Sequence, residues 1–128
     1  MTDRIDIEHL LLGLYAARVS GDLAAVCATF TKDANFQVVG ASNNASPIAM
    51  KAIGVDEFRP LLGIMIKSFK LSEHTILAML IDGERAAVYW RAKIYSRITG
   101  TTVLTELIDV VEVRDGRIAS YTEFFVPR

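Results

Sequence analysis

The chain has 128 residues, 52% of them apolar, with 14 basic and 15 acidic side chains and a formal net charge of −1. That length suits one domain, residues 1–128, able to bury roughly two thirds of its unfolded surface. With no Lys/Arg stripe along any segment, nucleic acid and an anionic membrane are not expected as partners, and the lone Cys27 rules out an intrachain disulfide and any site needing several thiolates.

Residues 3–19 are expected to form a helix. Ile7, Leu10, Leu11, Leu14 and Tyr15 recur at the spacing of one apolar face, and Asp3, Asp6 and Glu8 sit where the helix dipole favours acids. The apolar run before Arg18 is too short to span a bilayer, and the acidic N-terminus does not read as a secretory signal, so a cytoplasmic protein is expected. Ser20-Gly21-Asp22 ends the helix and caps a second, short one over 23–30, with Val26, Cys27 and Phe30 inward. Lys32-Asp33 turns into a strand over 35–39. Residues 41–53 lack a clean period and contain Asn43-Asn44 and Ser46-Pro47; they are expected to be a long loop at the mouth of a pocket. Ser42, Asn43, Asn44 and Ser46 there either gate a ligand or are simply solvated. A third helix is expected over 55–69, with an apolar stripe of Phe58, Leu61, Leu62, Met65 and Phe69 and an irregular start at Pro60.

Four strands follow, over 72–81, 85–97, 102–113 and 117–126, with turns at Asp82-Gly83, Thr99-Gly100 and Arg114-Asp115-Gly116. An antiparallel meander with helices on one face is an α+β architecture. Over 85–97 one face is Ala86, Val88, Trp90, Ala92 and Ile94, and the other carries Arg85, Tyr89, Arg91, Lys93 and Tyr95. Over 102–113, Val103, Thr105, Leu107, Asp109, Val111 and Val113 share a face, yet the opposite one, with Leu104, Ile108 and Val110, is also largely apolar. A sheet apolar on both faces has to be covered on both. Helices are expected on one, and a second copy, making a homodimer, on the other.

The order of these elements resembles the NTF2-like superfamily, which includes SnoaL-like polyketide cyclases, ketosteroid isomerase and limonene epoxide hydrolase. The residues that carry the resemblance are Ser20-Gly21-Asp22-Leu23 with Phe30 and Asp33-Ala34, then Gly54 and Phe58. Ile108-Asp109-Val110, Asp115-Gly116-Arg117-Ile118 and Tyr121-Thr122-Glu123-Phe124-Phe125 complete the pattern. The resemblance implies a cone-shaped (cystatin-like) fold, three N-terminal helices packed on a curved, mostly antiparallel sheet. It also implies that Asp109 stands where the isomerases keep the aspartic acid of their oxyanion hole, and Glu123 where the epoxide hydrolase has a catalytic aspartate. Tyr15 lies one residue past the column of the isomerase's oxyanion tyrosine, which holds Leu14. Val38 occupies the column of the isomerase's general base and cannot abstract a proton. Trp90-Arg91-Ala92-Lys93 keeps the epoxide hydrolase's arginine without its acid.

A carboxylate on an apolar strand face has to be paired, protonated or working. Asp109 is either a catalytic acid or a structural one bonded to Tyr15, Tyr121, Trp90 or a backbone amide. Glu123 is either its catalytic partner or a rim residue paired with Arg91 or Lys93. A two-residue Asp115-Gly116 turn would set Asp109 opposite Thr122, with Glu123 on the other face. A three-residue Arg114-Asp115-Gly116 turn would set it opposite Tyr121, with Glu123 a diagonal neighbour on the same face. The resemblance favours the second, since it places both acids in the cavity. The catalytic set is therefore expected to be Asp109, Glu123 and Tyr15, with Trp90, Tyr121, Phe58, Val38, Leu107 and Met65 binding a small apolar molecule. The expected chemistry is an isomerase, cyclase or hydratase/hydrolase-type step on a cyclic or carbonyl compound, without cofactor. A non-catalytic binding or interaction module is the alternative. His9 and His74 stand too far apart in sequence to suggest a metal site.

Overall fold

The computed structural model of the chain describes residues 2–41 and 47–127. Helix α1, Arg4–Ser20, starts at Asp3, whose carboxylate accepts from the Asp6 amide at 3.0 Å, and ends at Gly21 with φ 74°. Helix α2, Leu23–Ala28, is capped in the same way by Asp22. Strands β1, Phe30–Ala41, and β2, Pro47–Ile53, form an antiparallel hairpin. Helix α3, Val55–Ser68, continues through Pro60, and strands β3 (Phe69–Asp82), β4 (Arg85–Ser96), β5 (Thr102–Arg114) and β6 (Arg117–Pro127) complete the chain.

The strands make one six-stranded sheet in the order β2-β1-β6-β5-β4-β3. β1 and β6 run parallel and every other pair is antiparallel. The parallel pair brings the first and last strands side by side in the middle of the sheet. Helix α1 packs on β3 and α3 on β1, β2 and β3, so the helices cover one face. That inner face carries Phe36 and Val38 of β1, Val88, Trp90 and Ala92 of β4, Leu107, Asp109 and Val111 of β5, and Tyr121 and Glu123 of β6, all buried.

The α+β architecture and the four-strand meander match the sequence reading; three details differ. All three helices are present, but only two are N-terminal to the sheet, where the resemblance implied three, because α3 follows the first hairpin. Its position after a strand is the one expected from the order of elements along the sequence. The segment read as a loop over 41–53 contains β2: Ala52 is buried opposite Phe36, while Lys51 and Ile53 point outward. Proline is tolerated at the start of an edge strand, and apolar residues at both odd and even positions of this one mask its alternation. Ser42, Asn43, Asn44 and Ser46 lie outside the described residues. Finally, β1 begins at Phe30, so Lys32-Asp33 is strand, with its register against β6 shifting between Phe30 and Asn35. No helix among the described residues is long and apolar enough to cross a membrane.

Candidate functional site

The pairing of Asp109 with Glu123 is set by a turn and a bulge together. Asp115 and Gly116, with φ 52° and 78°, form a two-residue loop closed by Arg114 opposite Arg117. Continued unchanged, that register would place Asp109 opposite Thr122. Val113 pairs with Ile118 but Glu112 with Ser120, which leaves Ala119 extra and advances β6 by one residue. Asp109 therefore stands directly opposite Glu123 on the inner face. This corrects the expected three-residue turn and diagonal pair, since the bulge supplies the shift assigned to the turn.

Asp109 is fully buried, and three donors converge on its Oδ2: the Tyr15 hydroxyl at 2.5 Å, the Tyr121 hydroxyl at 2.5 Å and Trp90 Nε1 at 2.7 Å. Among the described residues its Oδ1 has no partner. Glu123, 2% exposed, is held by Arg18, whose Nη1 donates to Oε2 and whose Nη2 lies 3.3 Å from Oε1. The partner expected from sequence, Arg91 or Lys93, is replaced by one on α1. Tyr121 joins the two acids, its hydroxyl lying 2.5 Å from Asp109 Oδ2 and 3.0 Å from Glu123 Oε2 while accepting from Arg18 Nη1 at 3.0 Å.

The electrostatics follow from this inventory of one cation and two carboxyls. Burial, and then the neighbouring Glu123 charge, push the Asp109 carboxyl well above the usual carboxylate range. Burial alone would do the same to Glu123, but Arg18 opposes it by charge and hydrogen bond and holds it below its ordinary value. Arg18 remains a cation: burial works against its charge, but the Glu123 charge, Tyr121, the hydrogen bond to Glu123 and Asp109 together outweigh it. Burial and then Asp109 raise both phenols, so Tyr15 and Tyr121 stay protonated. The arrangement sets an ion pair beside a carboxyl that holds its proton more tightly than usual, with one hydroxyl between them.

An apolar cavity of about 260 Å³ opens above the pair. Arg18 and Glu123 reach its wall among Val38, Leu107, Met65, Leu62 and Phe125. Of the residues expected to bind a ligand, Val38, Leu107 and Met65 thus line it. Trp90, Tyr121 and Phe58 do not, and neither do Asp109 and Tyr15. Arg18 lies over the Trp90 ring at 5.2 Å and screens it, whereas Phe58 packs against Phe30 and Phe36 beneath α3. Asp109 accordingly communicates with the cavity through Tyr121 and Glu123 rather than by touching a ligand.

Sequence reasoning missed Arg18 and His74. Arg18 follows Leu11 by seven residues and Leu14 by four, which puts it on the buried face of α1; that spacing was the available signal. His74 is turned inward by an irregularity in β3, where Glu73 has φ 50° and the register shifts between Ser72 and Thr75. Its ring stacks on Tyr15 at 5.2 Å and leans on Trp90 at 5.1 Å. Burial, then the Arg18 charge, lower its pKa and favour the neutral imidazole. Among the described residues no three His, Cys, Asp or Glu side chains come together as metal ligands.

The backbone is similar to that of several solved structures. A candidate isomerase of Bacillus subtilis superposes with TM-score 0.84 at 18% identity, over 98% of this chain and 90% of that one. An NTF2-like protein of Burkholderia xenovorans gives 0.77 at 19% identity, over 98% and 92%. An epoxide hydrolase of Mycobacterium tuberculosis, similar to the limonene enzyme, gives 0.70 at 20% identity, over 95% and 84%. At these identities the likeness establishes the fold alone. Comparison with curated protein sequences finds no match. The model of the SnoaL-like domain, however, matches residues 11–121, from the buried Leu11 of α1 to the Tyr121 that joins the two acids, and the chain belongs to that family.

Proposed function

We propose that this protein binds a small apolar molecule and performs cofactor-independent acid/base chemistry on it, an isomerase, cyclase or hydratase/hydrolase-type step on a cyclic or carbonyl compound. The observation that carries this reading is the placing of Glu123 and Arg18 together on the wall of an apolar cavity, backed by Tyr121 and Asp109. Glu123 accepts a proton from the substrate. As its charge disappears, Arg18 loses its counter-ion and stabilises the negative charge growing on the substrate oxygen, so the buried cation is never left unpaired. Behind them, Tyr121 links the pair to Asp109, its hydroxyl 2.5 Å from Asp109 Oδ2 and 3.0 Å from Glu123 Oε2, and keeps Glu123 in place. Asp109 and Tyr15, expected to touch the substrate, act here as positioning residues.

The test is hydrogen–deuterium exchange at the α-carbon of small cyclic ketones in heavy water, followed by NMR. Glu123→Gln is expected to lower the exchange rate by about a hundredfold or more. Equal exchange by wild type and variant contradicts the proposal.

A second reading, a non-catalytic binding module, is favoured by one feature: Arg18 keeps Glu123 a weak base, and Val38, beside it in the β1–β6 register, supplies no other. Binding of the ketone without exchange would select that reading.

We also propose that a second copy covers the outer sheet face. Tyr89, Ile108 and Phe124 form a row across β4, β5 and β6 there, with Ile108 45% and Phe124 43% exposed, and Leu104 and Val110 beside them. A row on one face is self-complementary about a two-fold axis, the usual geometry of a homodimer.

A further inference from the structure

We infer that the ligand of the apolar cavity is amphipathic and carries an anionic head group, a carboxylate or a phosphate, held at the cavity mouth by Lys67 and Lys70. This inference rests on the pocket assigned above and adds the class of molecule that enters it. A second depression adjoins the cavity and shares Arg18, Ile66, Phe69 and Leu71 with it, so an apolar body in one continues directly into the other. The cavity itself has room for roughly nine heavy atoms if each takes the volume of a water molecule in the liquid. Its two charged residues, Arg18 and Glu123, already neutralise each other.

The second depression is different in character. Lys67, Lys70, Arg97 and Arg18 line it, and no acidic side chain does. The chain as a whole has more acids than bases, so composition does not explain the cluster. Arg97 is committed to structure, its Nη1 donating to the backbone carbonyls of Ile66 at 3.2 Å and Lys67 at 2.9 Å at the end of α3. Lys67, in the last turn of α3, suits the helix dipole. Lys70 lies on β3, beyond the helix, where the dipole calls for no cation. Among the described residues neither lysine forms an ion pair. Like charges lining one depression repel, and an anion seated between them, with its apolar body in the cavity, removes that repulsion.

Calorimetric titration of the full chain with octanoate, octyl phosphate and 1-octanol tests the inference, since the three share a tail and differ in head group. At low salt the anions are expected to bind about fivefold tighter than the alcohol or better, with the margin shrinking as salt is added. The doubly substituted Lys67→Glu/Lys70→Glu protein is expected to lose the preference, and its titration with octanol reports whether it is folded. A preference limited to one anion identifies the head group. If octanol binds as tightly as both anions, or if the preference survives the charge reversal, the inference is overturned and the apolar pocket stands. If none of the three binds, the inference and the pocket reading fall together.

Discussion

Asp109 and Glu123 face each other across two strands, yet their pKa values are pushed in opposite directions because only Glu123 touches a cation. Asp109→Asn replaces one neutral acceptor with another and is expected to cost at most about 1 kcal/mol at pH 7, whereas Asp109→Ala strands three buried donors and is expected to cost about 3 kcal/mol or more. Urea denaturation measures both. The pH dependence has opposite signs for the two acids. Asp109 keeps its proton in the native state after the unfolded chain has lost it, so its contribution falls as pH rises above about 3.8. Glu123 stabilises fully above about 4.5, and that contribution is lost as pH falls through its lowered native value. Stability relative to wild type should therefore rise with pH in Asp109→Asn, and the deficit of Glu123→Gln should shrink in acid. Arg18→Met leaves a buried carboxylate unpaired and is expected to cost about 3 kcal/mol, largely recovered on adding Glu123→Gln. The acids and Tyr15 were legible as anomalies on apolar faces. Arg18 was not, because an arginine in the last turn of a helix also reads as ordinary dipole chemistry.

Among the elements, strand register did more than side-chain identity to build the site. The Asp115-Gly116 turn is one of two that its residues allow, and the longer one is expected in its place because the bulge at Ala119 demands no particular residue type and left no mark in the sequence. The parallel neighbour of β6 was equally hidden, since it depends on chain ends far apart in sequence. That β1–β6 pair also shapes the cavity. Phe125 pairs with Gly40, and a Cβ at residue 40 would lie 2.3 Å from the Phe125 ring. Gly40→Ala is expected to push the ring into the cavity that it lines, with a stability loss of about 1–3 kcal/mol and weaker 1-octanol binding. Phe125→Leu in the same chain should restore much of the affinity; thermal denaturation and calorimetry together check this.

For the molecule as a whole, periodicity and turn residues were enough to reach the α+β class, and the match over residues 11–121 places the chain in its family. The cavity's contents were less legible, because Trp90 and Tyr121 are as apolar and inward-facing as Val38 and Leu107, and only the position of α1 decides which of them a ligand meets. At this scale the proposed homodimer predicts a sedimenting mass of twice 14.1 kDa. The double substitution Ile108→Glu/Phe124→Glu should yield a folded monomer. A wild type that sediments as a monomer at micromolar concentration counts against the covered sheet face. The central claim, however, is the protonated acid kept behind Glu123. Its most direct test is the infrared difference spectrum of wild type against Asp109→Asn at pH 7. A buried carboxylic-acid C=O band present in wild type and missing from the variant is the expected result; a carboxylate signal in its place would contradict it.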